Sequence, residues 1–78
     1  MTTEVRLFAA AAAAAGVTTT PSDAATLTAL QRSLLDAFPA LAPVLPRCSF
    51  LIDGGVAHGD ADLTGVATVD VLPPFAGG

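Results

Sequence analysis

The side chains able to do chemistry in this sequence are few: one imidazole, His58; one thiol, Cys48; and three neighbouring carboxylates, Asp53, Asp60 and Asp62. A protein zinc site draws three or four ligands from His and Cys at set spacings, and neither His58 nor Cys48 has such companions. The aspartates lack the regular ligand positions and the closing glutamate of a calcium loop. They read as solvated turn acids, His58 as a solvated turn residue and Cys48 as a small buried hydrophobe. Gly54-Gly55 behind Asp53 makes a hairpin rather than a phosphate cradle, because glycine accepts the positive backbone angles of a tight reversal. No ordinary active site is expected.

What remains is the C-terminal stretch VLPPFAGG, residues 71–78. Pro73 and Pro74 cannot donate ladder hydrogen bonds and hold the backbone near extended geometry, so the sheet is expected to stop and the chain to leave it as a stiff arm. Ala76, Gly77 and Gly78 are narrow enough to thread a channel closed to bulkier side chains, with Phe75 as an aromatic anchor. The Gly78 carboxylate is then the reacting group, placed in another protein's active site. With a pKa of about 3.5 it is anionic at neutral pH and a poor electrophile, so it needs activation.

The elements that would position this arm follow from periodicity. Glu4 to Phe8 alternates, with Val5 and Leu7 on one face and Glu4, Arg6 and Phe8 on the other, as in a half-buried strand. Ala9 to Ala15 is a short helical turn that stops at Gly16. Val17 to Thr20 is β-branched and predicts a second strand, forming a hairpin with the first and ending at the turn signal Pro21-Ser22-Asp23. Thr26 can cap a helix whose apolar positions Leu27, Leu30, Leu34 and Phe38 step by three, four and four, leaving Gln31, Arg32 and Asp36 toward water. Pro39 ends it, and Pro39, Pro43 and Pro46 allow at most one further turn over 40–45.

Cys48 to Ile52 reads as a strand, Asp53-Gly54-Gly55 as the reversal, and Val56-Ala57 as a short return strand. Residues 58–65 are turn-like, and Thr68 to Leu72 is the last strand, with Val69 and Val71 facing inward. This order predicts an α+β domain, a mixed sheet of four to five strands packed against one main helix. The folded body spans 1–72 and the tail 73–78. Alternation sends Phe8 and Leu72 outward, and if the first and last strands are neighbours these side chains form an exposed apolar patch beside the tail, the kind of surface that marks a partner interface.

Composition supports one domain: 78 residues, 53% hydrophobic and 13% charged, too apolar for disorder. A domain of this size buries only about 60% of its unfolded surface, which predicts modest stability. The net charge of −4, with three arginines and no lysine, argues against a nucleic-acid partner. One cysteine forms no internal disulfide, so a cytoplasmic location is the simpler expectation. Leu7 to Val17 superficially resembles a signal-peptide core, but Glu4 cancels Arg6 and no positive leader precedes it. Eleven apolar residues also fall short of the ~20 a membrane span needs, so no membrane partner is expected.

The segments VRLFA (5–9), CSFLIDG (48–54) and above all LPPFAGG (72–78) resemble the MoaD family, the small sulfur-carrying subunit of molybdopterin synthase and a relative of ThiS and ubiquitin. The resemblance spans the chain, and between these segments it holds in element order. It implies the β-grasp (ubiquitin-like) fold, with the first and last strands parallel neighbours, and it marks Phe8, Val56 and Leu72, with Phe75 in the tail, as the contact surface for partners. It further implies that a MoeB/ThiF-like adenylyltransferase uses ATP to convert the Gly78 carboxylate to an acyl adenylate. A sulfur donor enzyme's persulfide then yields a thiocarboxylate. Inserted into the large, MoaE-like subunit of the synthase, in a heterotetramer of two plus two, that group gives sulfur to precursor Z.

On this view the chain is no enzyme on its own and binds no permanent cofactor or metal. Gly78 reacts, Gly77 and Gly78 give clearance, Pro73 and Pro74 give direction, and Phe8, Val56, Leu72 and Phe75 dock. Two alternatives stay open: a sulfur carrier for thiazole, cysteine or tungsten-cofactor biosynthesis, and a ubiquitin-like modifier joined to lysines of other proteins. Without lysine the chain cannot extend itself through isopeptide links.

Overall fold

The structure is a computed structural model and describes residues 2–74. The chain runs β1 (Thr3–Leu7), α1 (Ala9–Ala15), β2 (Thr19–Ser22), α2 (Leu27–Ala37), two 3-10 turns (Pro39–Leu41 and Leu45–Arg47), β3 (Ser49–Ile52), β4 (Gly55–Val56) and β5 (Thr68–Leu72). The strands make one mixed sheet in the order β2-β1-β5-β3-β4. β1 and β5 are parallel, with Arg6 opposite Asp70 and Leu7 opposite Val71; β3 runs antiparallel to β5. The last strand is thus the central one.

The inner face of the sheet carries Val5, Leu7, Phe50, Val69 and Val71, all buried, and α2 lays Leu27, Leu30 and Leu34 against it. Their burial follows from the period-2 strand pattern meeting the three-four helical pattern. Thr26 caps α2, its Oγ1 accepting from Ala29 N–H at 3.2 Å. Gly16 ends α1 in the left-handed conformation at φ 78°. Ala9, the first residue of α1, has φ 50°, a conformation an alanine adopts only at a cost.

Five local expectations are corrected. β2 begins at Thr19 and includes Pro21 and Ser22, so the residues read as a turn belong to the strand. An edge strand tolerates proline because its missing N–H would face solvent. β2 does run antiparallel to β1, but α1 stands between them and the pair is no tight hairpin. The proline-rich connector forms two 3-10 turns rather than at most one, each with proline near its start, where the fixed φ suits a turn and the absent N–H is not needed. Cys48 precedes β3 and is half-buried, its thiol donating to the Val44 carbonyl at 3.4 Å. The return strand falls on Gly55–Val56, and Asp53 (φ 47°) with Gly54 (φ 86°) make the reversal.

Candidate functional site

The outer face of the sheet is built by the residues that alternate with the core: Arg6 and Phe8 from β1 and its end, Asp70 and Leu72 from β5, Leu51 from β3 and Val56 from β4. Phe8 continues the parallel ladder, its N–H donating to the Val71 carbonyl at 3.2 Å, and so lies beside Leu72. It is 38% exposed, and Val56 is 64% exposed. Leu72, expected to be exposed, is half-buried because β5 has a neighbouring strand on each side. Val56 stands opposite Leu51, which stands opposite Asp70. The three apolar residues expected to form the contact surface therefore share one face, and Leu51 fills the gap between them. The alternation of Leu51 with Phe50 along β3 is the sequence signal that places it here.

At the centre of this face lies an ion pair absent from the sequence reading. Arg6 Nε donates to Asp70 Oδ1 at 2.5 Å and Nη2 to Oδ2 at 3.0 Å, a two-pronged geometry. The hydrogen bonds and charge of Asp70 raise the Arg6 guanidinium above its ordinary value. Asp70 is nearly enclosed and Arg6 is partly open, with side chains 12% and 42% exposed.

The face runs to the point where the chain leaves the sheet. Pro73 is buried and Pro74 exposed. The two prolines border a shallow groove of about 260 Å³ between Ala9 and Ala10 of α1 and Pro43, Val44 and Arg47 of the connector. Phe75, Ala76, Gly77 and Gly78, the remaining expected site residues, lie outside the described residues.

The other candidates are committed to the fold. Asp53 Oδ1 accepts from Thr68 N–H at 2.9 Å and Ala67 N–H at 3.1 Å, fixing the start of β5. Asp60 accepts from Thr28 N–H at 2.8 Å at the first turn of α2, and Asp62 from Thr64 N–H at 2.9 Å. Those bonds, from the backbone first and then the threonine hydroxyls, hold both carboxyls below their usual value. Burial pushes the Cys48 thiol up, which disfavours the thiolate a nucleophile needs. His58 is exposed. Among the described residues no group of three His, Cys, Asp or Glu side chains could hold a metal, and no helix is long and apolar enough to cross a membrane.

Residues 5–78 match the ThiS family. The chain belongs to the ThiS family. No curated protein matches its sequence, but solved structures do. The crystal structure of SAMP1 from Haloferax volcanii is 30% identical, with each chain covered in full and a TM-score of 0.80. The small archaeal modifier protein 1 (SAMP1) of Methanosarcina acetivorans is 25% identical, with 99% of this chain and 96% of that one covered and a TM-score of 0.74. A complex of subunits 1 and 2 of the molybdopterin-converting factor of Helicobacter pylori 26695 contains a chain 25% identical, fully covered on both sides, with a TM-score of 0.72. The expected ubiquitin-like β-grasp fold is thus the fold of this ThiS-family chain. Its role is that of a sulfur carrier or ubiquitin-like protein.

Proposed function

We propose that the chain is a sulfur carrier whose C-terminal glycine becomes a thiocarboxylate, and that it serves as the small subunit of molybdopterin synthase. The observation that carries this reading is the full-length likeness to a subunit of a molybdopterin-converting factor, joined to a family match that runs through Pro73, Pro74 and the glycine pair. An adenylyltransferase of the MoeB/ThiF type binds ATP as its co-substrate. The Gly78 carboxylate attacks the α-phosphorus, pyrophosphate leaves, and the acyl carbon becomes electrophilic. The outer sulfur of a donor persulfide then attacks that carbon and AMP leaves. A thiol reductant releases the thiocarboxylate, which passes into the large subunit and transfers sulfur to precursor Z.

In this scheme the folded body is a handle. Phe8, Leu51, Val56 and Leu72 dock, Pro73 and Pro74 aim the tail, and Ala76 and Gly77 leave room for it in a narrow channel. The test is the intact mass of the chain after incubation with ATP, a sulfur donor and the adenylyltransferase. Exchange of one oxygen for sulfur at Gly78 supports the carrier role, and an unchanged mass contradicts it. One residue added after Gly78 abolishes the exchange while leaving the fold intact. Conversion of precursor Z on adding the large subunit then separates the molybdopterin pathway from other sulfur pathways.

A second reading is favoured by the likeness to SAMP1 of Haloferax volcanii, the higher in both identity and TM-score of the matches described. It is that activated Gly78 is joined to lysines of other proteins. Adducts on target lysines, read by peptide mass after incubation with ATP and the activating enzyme, support it.

A further inference from the structure

Arginine has five N–H donors, and Asp70 engages one on Nε and one on Nη2 of Arg6. Three are left on a side chain that is 42% exposed, on the same face as Phe8, Leu51, Val56 and Leu72. An interface of ordinary size covers about 800 Å² on each partner, a disc with a radius of roughly 16 Å. Arg6 is two residues from Phe8 along the strand, roughly 7 Å away. Any enzyme that grips the tail and covers Phe8 and Leu72 therefore covers Arg6 as well. Its spare donors must then find acceptors or be buried unmet, which costs more than the bonds themselves contribute.

The surrounding charge selects the acceptor. Asp70 neutralises Arg6, and Glu4 lies two residues back on the same face, adding its own attraction to the guanidinium. A partner carboxylate brought to this spot would meet two acidic neighbours for one cation. A neutral carbonyl oxygen would meet the donors without that repulsion.

We propose that Arg6, held in place by Asp70, is a specificity-determining residue of the docking face: it recognises a neutral carbonyl oxygen, backbone or amide, on the activating enzyme. A socket that is apolar throughout is rejected, because it would enclose three unmet donors. The surface thus discriminates among enzymes that would all accept an apolar patch. The inference rests on the carrier reading, and the experiment keeps the two apart.

The experiment measures ATP-dependent sulfuration of the chain by its adenylyltransferase as kcat and KM. If the wild-type chain is not sulfurated, the carrier reading fails. If it is, the double variant Arg6→Leu/Asp70→Leu, which swaps the pair for apolar groups suited to a strand, keeps its unfolding temperature. Its KM rises by roughly tenfold or more, with kcat unchanged. Arg6→Lys, which keeps the ion pair but has no second nitrogen to offer, raises KM in the same direction. Unchanged KM in both variants overturns the inference, and so does a fall in kcat with KM unchanged.

Discussion

Replacing Val56 tests the docking face with little disturbance to the fold, because β4 is a two-residue edge strand and this side chain is 64% exposed. Burying a whole valine contributes about 1.5–3 kcal/mol, so covering the exposed fraction in a complex contributes roughly 1–2 kcal/mol. Val56→Ala forfeits part of that, and affinity falls by about three- to tenfold. Val56→Asp forfeits all of it and adds the desolvation of a carboxylate with no partner, and affinity falls by roughly a hundredfold or more. Titration calorimetry against the adenylyltransferase and, separately, against the large synthase subunit reads both numbers. Thermal unfolding of each variant stays within about 0.5 kcal/mol of wild type, as for surface substitutions in general. If Val56→Asp binds both enzymes as the wild-type chain does, the outer sheet face is not the docking surface and the reasoning fails.

Three further outcomes concern the fold. Leu30→Ala empties a site with no solvent exposure at the centre of α2 and costs about 2–5 kcal/mol. That is a large share of the roughly 4–12 kcal/mol expected for a domain of this length, so denaturant titration finds a sharply lowered midpoint. Ala9→Gly relieves the positive φ at the start of α1 and raises stability by up to about 1 kcal/mol in the same assay. For Asp60 and Asp62 the folded carboxyls titrate below the unfolded value near 3.8. Their contribution is therefore complete above that pH and lost as pH falls through the folded values. Asp60→Asn flattens this acid limb of a stability-against-pH curve, and an unaltered limb counts against the Thr28 contact.

Much of the fold was legible because local pattern and tertiary demand agree. The Val5-Leu7 and Val69-Val71 alternations, the three-four-four spacing from Leu27 to Phe38 with Thr26 as its cap, and the Asp53-Gly54 reversal all stand where periodicity and turn chemistry put them. The second strand lies two residues beyond its expected place because Pro21 belongs to a turn signal that ought to end a strand. That holds inside a sheet, but Pro21 sits on an edge opposite Glu4. Leu63 is buried within a stretch that shows no periodicity. It is drawn in by contacts with distant residues: Leu63 N–H donates to the Ala25 carbonyl at 2.8 Å, and Leu27 N–H to Ala61 at 2.9 Å. No local signal encodes such a closure.

The site divides the same way. Phe8, Leu72 and Val56 could be placed on one face by alternation and by the resemblance of the matching segments. The Arg6–Asp70 pair could not, because it joins residues 64 apart in sequence and appears only once the parallel register sets Arg6 opposite Asp70. Knowing that β1 and β5 are adjacent is not enough. A slip of one residue would have turned one of the two charges into the core.

The central, parallel placement of β5 also has a mechanical consequence. β1 begins near the N-terminus and β5 ends next to the tail, and the two run in the same direction. A force that pulls the two ends of the chain apart therefore loads their shared hydrogen bonds in shear, all at once, rather than peeling them one by one. Under the proposed carrier role, a partner that pulls on the tail against the start of the chain therefore loads the β1–β5 hydrogen bonds together rather than a peelable edge.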